Sequence, residues 1–154
     1  RRTVRSDVDF VLTFEELARI VELFRQSEQV YFVGDMRELE CFYSLQLDLM
    51  CKGQAVYHCN FDEVKKDELP AMNEKTVVCI FSVSERYYPE ERQLLLEEAR
   101  ACRAHTVWFT QEGDAGEAEE TCYYGTAQSK NMGYYSLLLL EQVISAMLYR
   151  SDDA

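Results

Sequence analysis

Thr76-Val77-Val78-Cys79-Ile80-Phe81 is the stretch on which the fold turns, six uncharged residues of which five are apolar. A strand solvated on one face alternates apolar and polar side chains, so a nearly continuous apolar run is expected of a parallel strand covered on both faces. Pro89 then stands where a helix should begin, since its missing N–H costs little in a first turn. Glu90 and Glu91 follow it, and Arg100 and Arg103 close the segment, an order that complements the helix macrodipole. His105 to Thr110 reads as the next strand, so a strand, a helix and a strand succeed one another across these 35 or so residues.

The pattern repeats in both directions. Upstream, Thr13 with Glu16 forms a capping box, Leu12 and Leu17 are placed for the hydrophobic staple, and Leu17, Ile20, Val21 and Phe24 mark one helical stripe. Gln29 to Val33 reads as a strand ending at Gly34. A helix is expected from about Asp35 to Cys51, closed by Gly53 in the left-handed position after its C-terminus. Gln54 to Cys59 is a further strand, with a short helical stretch near Asp62 to Leu69. Downstream, Glu112 to Glu120 is an acidic loop, Thr121 to Tyr124 a fifth short strand, and Met132 to Tyr149 a final helix. Successive βαβ units build a parallel sheet with helices on both faces, so the expectation is one three-layer α/β domain spanning residues 1–154.

Composition narrows the function classes. The 154 residues carry 28 acids against 16 bases, a formal charge of -12, which is the wrong sign for a nucleic-acid surface. The longest near-continuous apolar run, Tyr134 to Leu140, falls far short of the roughly 20 residues that span a bilayer. Cys41, Cys51, Cys59, Cys79, Cys102 and Cys122 form no C-x-x-C pair and have no His at zinc-ligand spacing, so no metal site is expected. They read as small buried hydrophobes of a reducing, cytoplasmic protein.

In an open α/β sheet the ligand site lies outside the C-terminal strand ends, near the switch in strand order. After the first strand comes Gly34-Asp35-Met36-Arg37-Glu38, whose single glycine does not make the G-x-G-x-x-G turn of a dinucleotide site. A G-x-x-x-x-G-K-[ST] phosphate loop is also absent, so no cofactor is expected. Ser82 stands where a phosphoacceptor receiver would place an Asp. The third loop, Phe81-Ser82-Val83-Ser84-Glu85-Arg86-Tyr87-Tyr88-Pro89, sets hydroxyls and backbone amides ahead of a helix N-terminus, a natural phosphate cradle.

Here the sequence resembles the sugar isomerase (SIS) domain, most of all the C-terminal effector domain of RpiR/MurR-type transcriptional regulators. The resemblance covers nearly the whole chain. It takes in the introductory helix, the strand ending at Gly34, the strand at Ala55 to His58, the acidic stretch with Leu69 and Met72, and the strand running into Ser82-x-Ser84. The helix containing Ala99, the strand Thr106 to Thr110 and the last long helix complete it. SIS domains usually carry a G-x-G-x-S turn after the first strand and S-x-S-G-x-T after the third. Gly34, Ser82 and Ser84 fit, whereas Met36 replaces the second glycine and Glu38 the serine, and Glu85 and Tyr87 replace the glycine and threonine of the second motif. Carboxylates at Glu38 and Glu85 oppose a phosphate dianion by a few kcal/mol in a partly desolvated site; Arg37 and Arg86 are the cations placed to offset them.

What the resemblance implies is a sheet with strand order 2-1-3-4-5, a ligand pocket built by Gly34, Arg37, Ser82, Ser84 and Arg86, and a role in sensing a phosphorylated sugar and in dimerisation. The regulators add an N-terminal helix-turn-helix domain that binds DNA. No such basic segment stands in this sequence, which opens Arg1-Arg2-Thr3 without Met, so the chain is expected to be the effector half of a longer protein. No catalytic residue is assigned: His58 lies at the site end of its strand and His105 at the opposite end, and neither has an evident partner for acid–base work. A sugar-phosphate isomerase of the SIS class, and a SIS domain kept only for dimerisation, are the alternatives. The dimer is expected from two helices apolar nearly all round, Met36 to Met50 and Leu137 to Leu148, which exceed the stripe one sheet face can cover; burial of both within the monomer is the other way to satisfy them.

Overall fold

All six residues of β3 (Thr76–Phe81) are buried, and the strand lies at the centre of a five-stranded parallel sheet. The computed structural model describes residues 14–81, 88–110, 118–123 and 133–153. In chain order the elements are α1 (Phe14–Gln26), β1 (Gln29–Gly34), α2 (Met36–Cys41), α3 (Tyr43–Cys51), β2 (Ala55–Asn60), β3, α4 (Pro89–Ala101), β4 (His105–Thr110), β5 (Glu120–Tyr123) and α5 (Gly133–Asp153). The strand order is β2-β1-β3-β4-β5, as the SIS resemblance implies. The direction of winding reverses between β1 and β3, whose register sets Val33 beside Ile80.

Two cores follow from the two-residue period of the strands. Val77, Cys79 and Phe81 join Phe32, Val107 and Phe109 beneath α1, α2, α3 and α5, while Val78 and Ile80 join Val33 and Trp108 on the other face against Leu95, Leu96 and Ala99 of α4. Leu17, Ile20, Val21 and Phe24 are the buried stripe of α1, as its periodicity predicts. The cap and staple residues Thr13 and Leu12 lie outside the described residues.

The helix expected from Asp35 to Cys51 is divided in two. Phe42, at φ -104° and ψ 14°, ends α2 and starts α3, with neither Pro nor Gly to announce the joint. Its side chain supplies the reason. Fully buried, the ring packs edge-on against Phe81 at 5.0 Å and Phe109 at 4.9 Å, and tilted on Phe32 at 6.2 Å. Edge-to-face pairs add about 0.5–1.5 kcal/mol each beyond burial, and they form because the helix turns at Phe42. Gly53 takes φ +92° just past α3, the role expected of it.

Three other details depart from the sequence reading. β2 starts at Ala55 rather than Gln54, because the Gln54 backbone N–H is given to the Leu49 carbonyl at 3.1 Å, closing α3, and the ladder to β1 opens with the Ala55 N–H on the Glu28 carbonyl at 2.9 Å. The stretch near Asp62 to Leu69 forms two 3-10 turns, Phe61–Glu63 and Lys66–Glu68, with Phe61 and Val64 buried and Leu69 partly buried against the core. Of the six free thiols, Cys79 and Cys122 are buried, Cys41, Cys59 and Cys102 are part-buried and Cys51 is exposed, so the small-hydrophobe role holds fully for two. Replacing Phe42→Ala should cost about 3–5 kcal/mol by urea denaturation, the range for a buried Phe, and Phe42→Leu clearly less.

Candidate functional site

The C-terminal strand ends carry the groups that face a ligand in this topology. Gly34 closes β1, and its Cα leaves no room for a side chain: a Cβ there would stand 2.9 Å from Glu38 Oε1 and 2.9 Å from the Phe81 ring. Asp35 caps α2 by accepting the Glu38 N–H at 2.7 Å, and Glu38 accepts the Asp35 N–H at 2.8 Å. Glu38 is fully buried by this. The capping box therefore consumes amides that an incoming anion would otherwise use, and it does so with the protein's own carboxylate.

Tyr134, at the start of α5, donates its hydroxyl to Asp35 Oδ2 at 2.9 Å, and the guanidinium of exposed Arg37 lies over the same ring at 5.7 Å. Arg37 thus stands beside the first-strand turn and reaches toward α5. Ser82, Ser84 and Arg86 follow β3 in sequence but lie outside the described residues, as does Glu85, so of the five predicted ligand residues the structure describes Gly34 and Arg37.

On the other side of α2 a cavity of about 400 Å³ opens against the end of β2. Met36, Leu39 and Tyr43 line it from α2 and α3, and His58 and Cys59 from β2. Gln46, 2% exposed, gives its amide N–H to the Leu39 carbonyl at 3.1 Å and its oxygen faces His58 Nδ1 at 2.9 Å. His58 is therefore held by α3, while His105 pairs with Glu119 at 2.8 Å at the far end of the sheet. Cys59 Sγ is 3.0 Å from the Tyr31 hydroxyl, and burial, with the carboxylates of Glu63 and Asp62 adding to it, pushes its thiol pKa up. Cys41 is likewise pushed up to about 11 by burial and then by Glu38, Asp35 and Glu40. The field along this edge is negative. Among the described residues no group of three His, Cys, Asp or Glu stands close enough to hold a metal ion.

The α3 wall is itself pinned from a distance. Glu141 of α5, 2% exposed, accepts the Leu45 N–H at 2.7 Å and so caps α3, whose own N-terminal residue Phe42 offers no side-chain cap. Neither the Leu45–Glu141 nor the Gln46–His58 contact has a local signal in the sequence.

Compared by sequence, the chain matches no family model and no curated protein. Compared by structure, it is similar to the sugar isomerase domain of an RpiR transcription factor from Sphaerobacter thermophilus, with TM-score 0.60 and 16% identity over 92% of this chain and 87% of that one. The chain has the SIS fold. The chain is also similar to NanR of Vibrio vulnificus, solved with ManNAc-6P, at TM-score 0.69 and 16% identity over 94% of this chain and 56% of that one. A third likeness is to MJ1247 of Methanococcus jannaschii, whose structure was used to infer a 3-hexulose-6-phosphate isomerase function, at TM-score 0.70 and 14% identity over 90% and 78%. A transcription factor's domain and a protein of inferred isomerase function thus share this fold with the chain.

Burial raises the Glu141 pKa, the Leu45 amide opposes the rise and Asp48 adds to it. A carboxyl whose folded pKa lies above its unfolded value stabilises most below the unfolded value, and that contribution is lost as pH climbs through the folded one. Glu141→Gln, which keeps an acceptor for Leu45, should therefore gain stability relative to the native protein between pH 4 and pH 7. Glu141→Ala leaves the amide unpaired and should lose about 1–3 kcal/mol throughout, read by denaturation at each pH.

Proposed function

We propose that the chain is the sugar-phosphate-sensing and dimerisation domain of an RpiR-type transcriptional regulator rather than an isomerase, working in the cytoplasm. The observation that carries this reading is the SIS fold with β1 and β3 adjoining at the switch point, which sets Gly34 next to the strand that runs into Ser82-x-Ser84. The Sphaerobacter neighbour is a domain of a transcription factor, and the Vibrio neighbour holds a phosphorylated sugar. Both histidines support a binding role, because His58 is tied to Gln46 and His105 pairs with Glu119 at the opposite end of the sheet from Gly34. DNA contact in such a protein belongs to a separate helix-turn-helix domain, as the charge of -12 on these residues requires.

In this reading phosphate is taken by the Ser82 and Ser84 hydroxyls with Arg37 and Arg86, not by the Asp35 and Glu38 amides, each of which is already bonded to the other residue's side chain. A screen of hexose and pentose phosphates by thermal shift should give at least one stabilising sugar phosphate, and Ser82→Ala with Ser84→Ala should abolish that shift. Isomerase assays on the binding compound should show no turnover; turnover would move the chain to the enzyme class.

Dimerisation rests on apolar side chains left open by the monomer. Phe42, Leu45, Leu49, Leu137, Leu140 and Ile144 are buried within it, whereas Met36, Leu47, Met50 and Leu138 remain 40–65% exposed on α2, α3 and α5. Such a patch is normally covered by a partner, and a two-fold pair of identical domains is the commonest cover. Sedimentation equilibrium at micromolar concentration should give twice 18.0 kDa, and Leu47→Glu with Leu138→Glu should return the monomer.

A further inference from the structure

Between Tyr134 and Tyr149, α5 carries one charged residue, Glu141, and that carboxylate is buried on the Leu45 N–H. The solvent side of the helix is therefore uncharged. This sets it apart from α1, which exposes Glu15, Arg19 and Arg25, and from α4, which exposes Glu90, Glu97 and Arg100. The exposed residues of the α5 stretch are Tyr135, Leu138, Gln142, Ala146 and Tyr149. At about 3.6 residues per turn all five point within about 40° of Gln142, along about 21 Å of helix. Their order is symmetric about Gln142: Leu138 and Ala146 stand four residues to either side, Tyr135 and Tyr149 seven. Cations meet the stripe at its two ends, with Arg37 over the Tyr134 ring and Lys52 over the Tyr149 ring, each at 5.7 Å.

A helix face uncharged along its length and charged at its ends has the layout of an interface, a core within a polar rim. Two copies of a chain of charge -12 repel, so they can meet closely only along an uncharged face. Symmetry about one residue is what a two-fold pair requires, since across its axis each residue opposes the one that opposes it. We propose that two copies of the chain pair through α5, antiparallel, with the two-fold axis at Gln142. Leu138 then lies against the partner's Ala146, large against small, and Tyr135 against the partner's Tyr149. The two Gln142 amides, each both donor and acceptor, bond to one another across the axis, and the helix dipoles run in opposite directions. This axis rests on the dimerisation reading above and adds to it where the copies meet and in which direction.

Sedimentation equilibrium of the full chain and its charge variants tests this. Leu138→Glu should raise the dimer dissociation constant at least about tenfold, because it buries a carboxylate against the partner's Ala146. Adding Ala146→Lys should bring the constant back to within about threefold of the native value, since each new carboxylate then meets an ammonium of the other copy. Adding Gln26→Lys instead, the same charge placed on exposed α1, should restore nothing. Parallel helices would set like charges together in the Leu138→Glu, Ala146→Lys variant and keep it monomeric. A native chain that sediments as a monomer overturns the dimerisation reading and this axis together. A native dimer indifferent to Leu138→Glu leaves that reading standing and overturns α5 as its seam. Dissociation by Leu138→Glu without rescue by Ala146→Lys, or with equal rescue by Gln26→Lys, overturns the antiparallel register.

Discussion

The seat of Phe42 on the sheet is the contact from which the rest of the molecule is arranged. Phe32, Phe81 and Phe109 come from three neighbouring strands, and one ring packs against all three at 4.9–6.2 Å. A straight helix from Asp35 to Cys51 would carry one register along its whole length. Turning at Phe42 gives α2 and α3 separate directions, and both uses are visible: α2 brings Glu38 back onto Gly34, and α3 brings Gln46 to His58. The turn leaves amides of α3 without helical partners, and Glu141 reaches from α5 to satisfy one of them. Packing, capping and the wall of the cavity are thus one connected device.

The same connection gives the site end of the domain its character. Carboxylates are built into the structure as hydrogen-bond acceptors rather than left in solvent: Glu38 is fully buried and Glu141 is 2% exposed. At a helix start that a SIS domain commonly offers to its ligand, this chain supplies its own negative group. Phosphate recognition in the proposed reading is therefore displaced toward the serines after β3.

Much of this was legible in the residues. The uninterrupted run Thr76 to Phe81 marks the central strand, the stripe Leu17, Ile20, Val21 and Phe24 marks α1, and Pro89 marks the start of α4, because each rests on local periodicity or backbone chemistry. The helix break at Phe42 was not legible, since its cause is three rings distant in sequence. Asp35-x-x-Glu38 is the instructive case. It has the same spacing as Thr13-x-x-Glu16, which was read as a capping box, yet Glu38 was weighed only as a charge opposing phosphate. Its spacing held the answer that its charge obscured. The Gln46–His58 and Leu45–Glu141 contacts join residues 12 and 96 apart, and no local rule selects them.

The account's central claim is that ligand binding belongs to the strand ends at the β1–β3 switch point. Backbone amide shifts in a 1H–15N correlation spectrum, followed during titration with hexose 6-phosphates, test it most directly. The account predicts that the largest changes fall on Gly34 to Arg37 and on Ser82 to Arg86, with Ser27, Lys75 and His105 at the other end of the sheet unmoved. Changes concentrated at that opposite end, or confined to residues away from both loops, would contradict it.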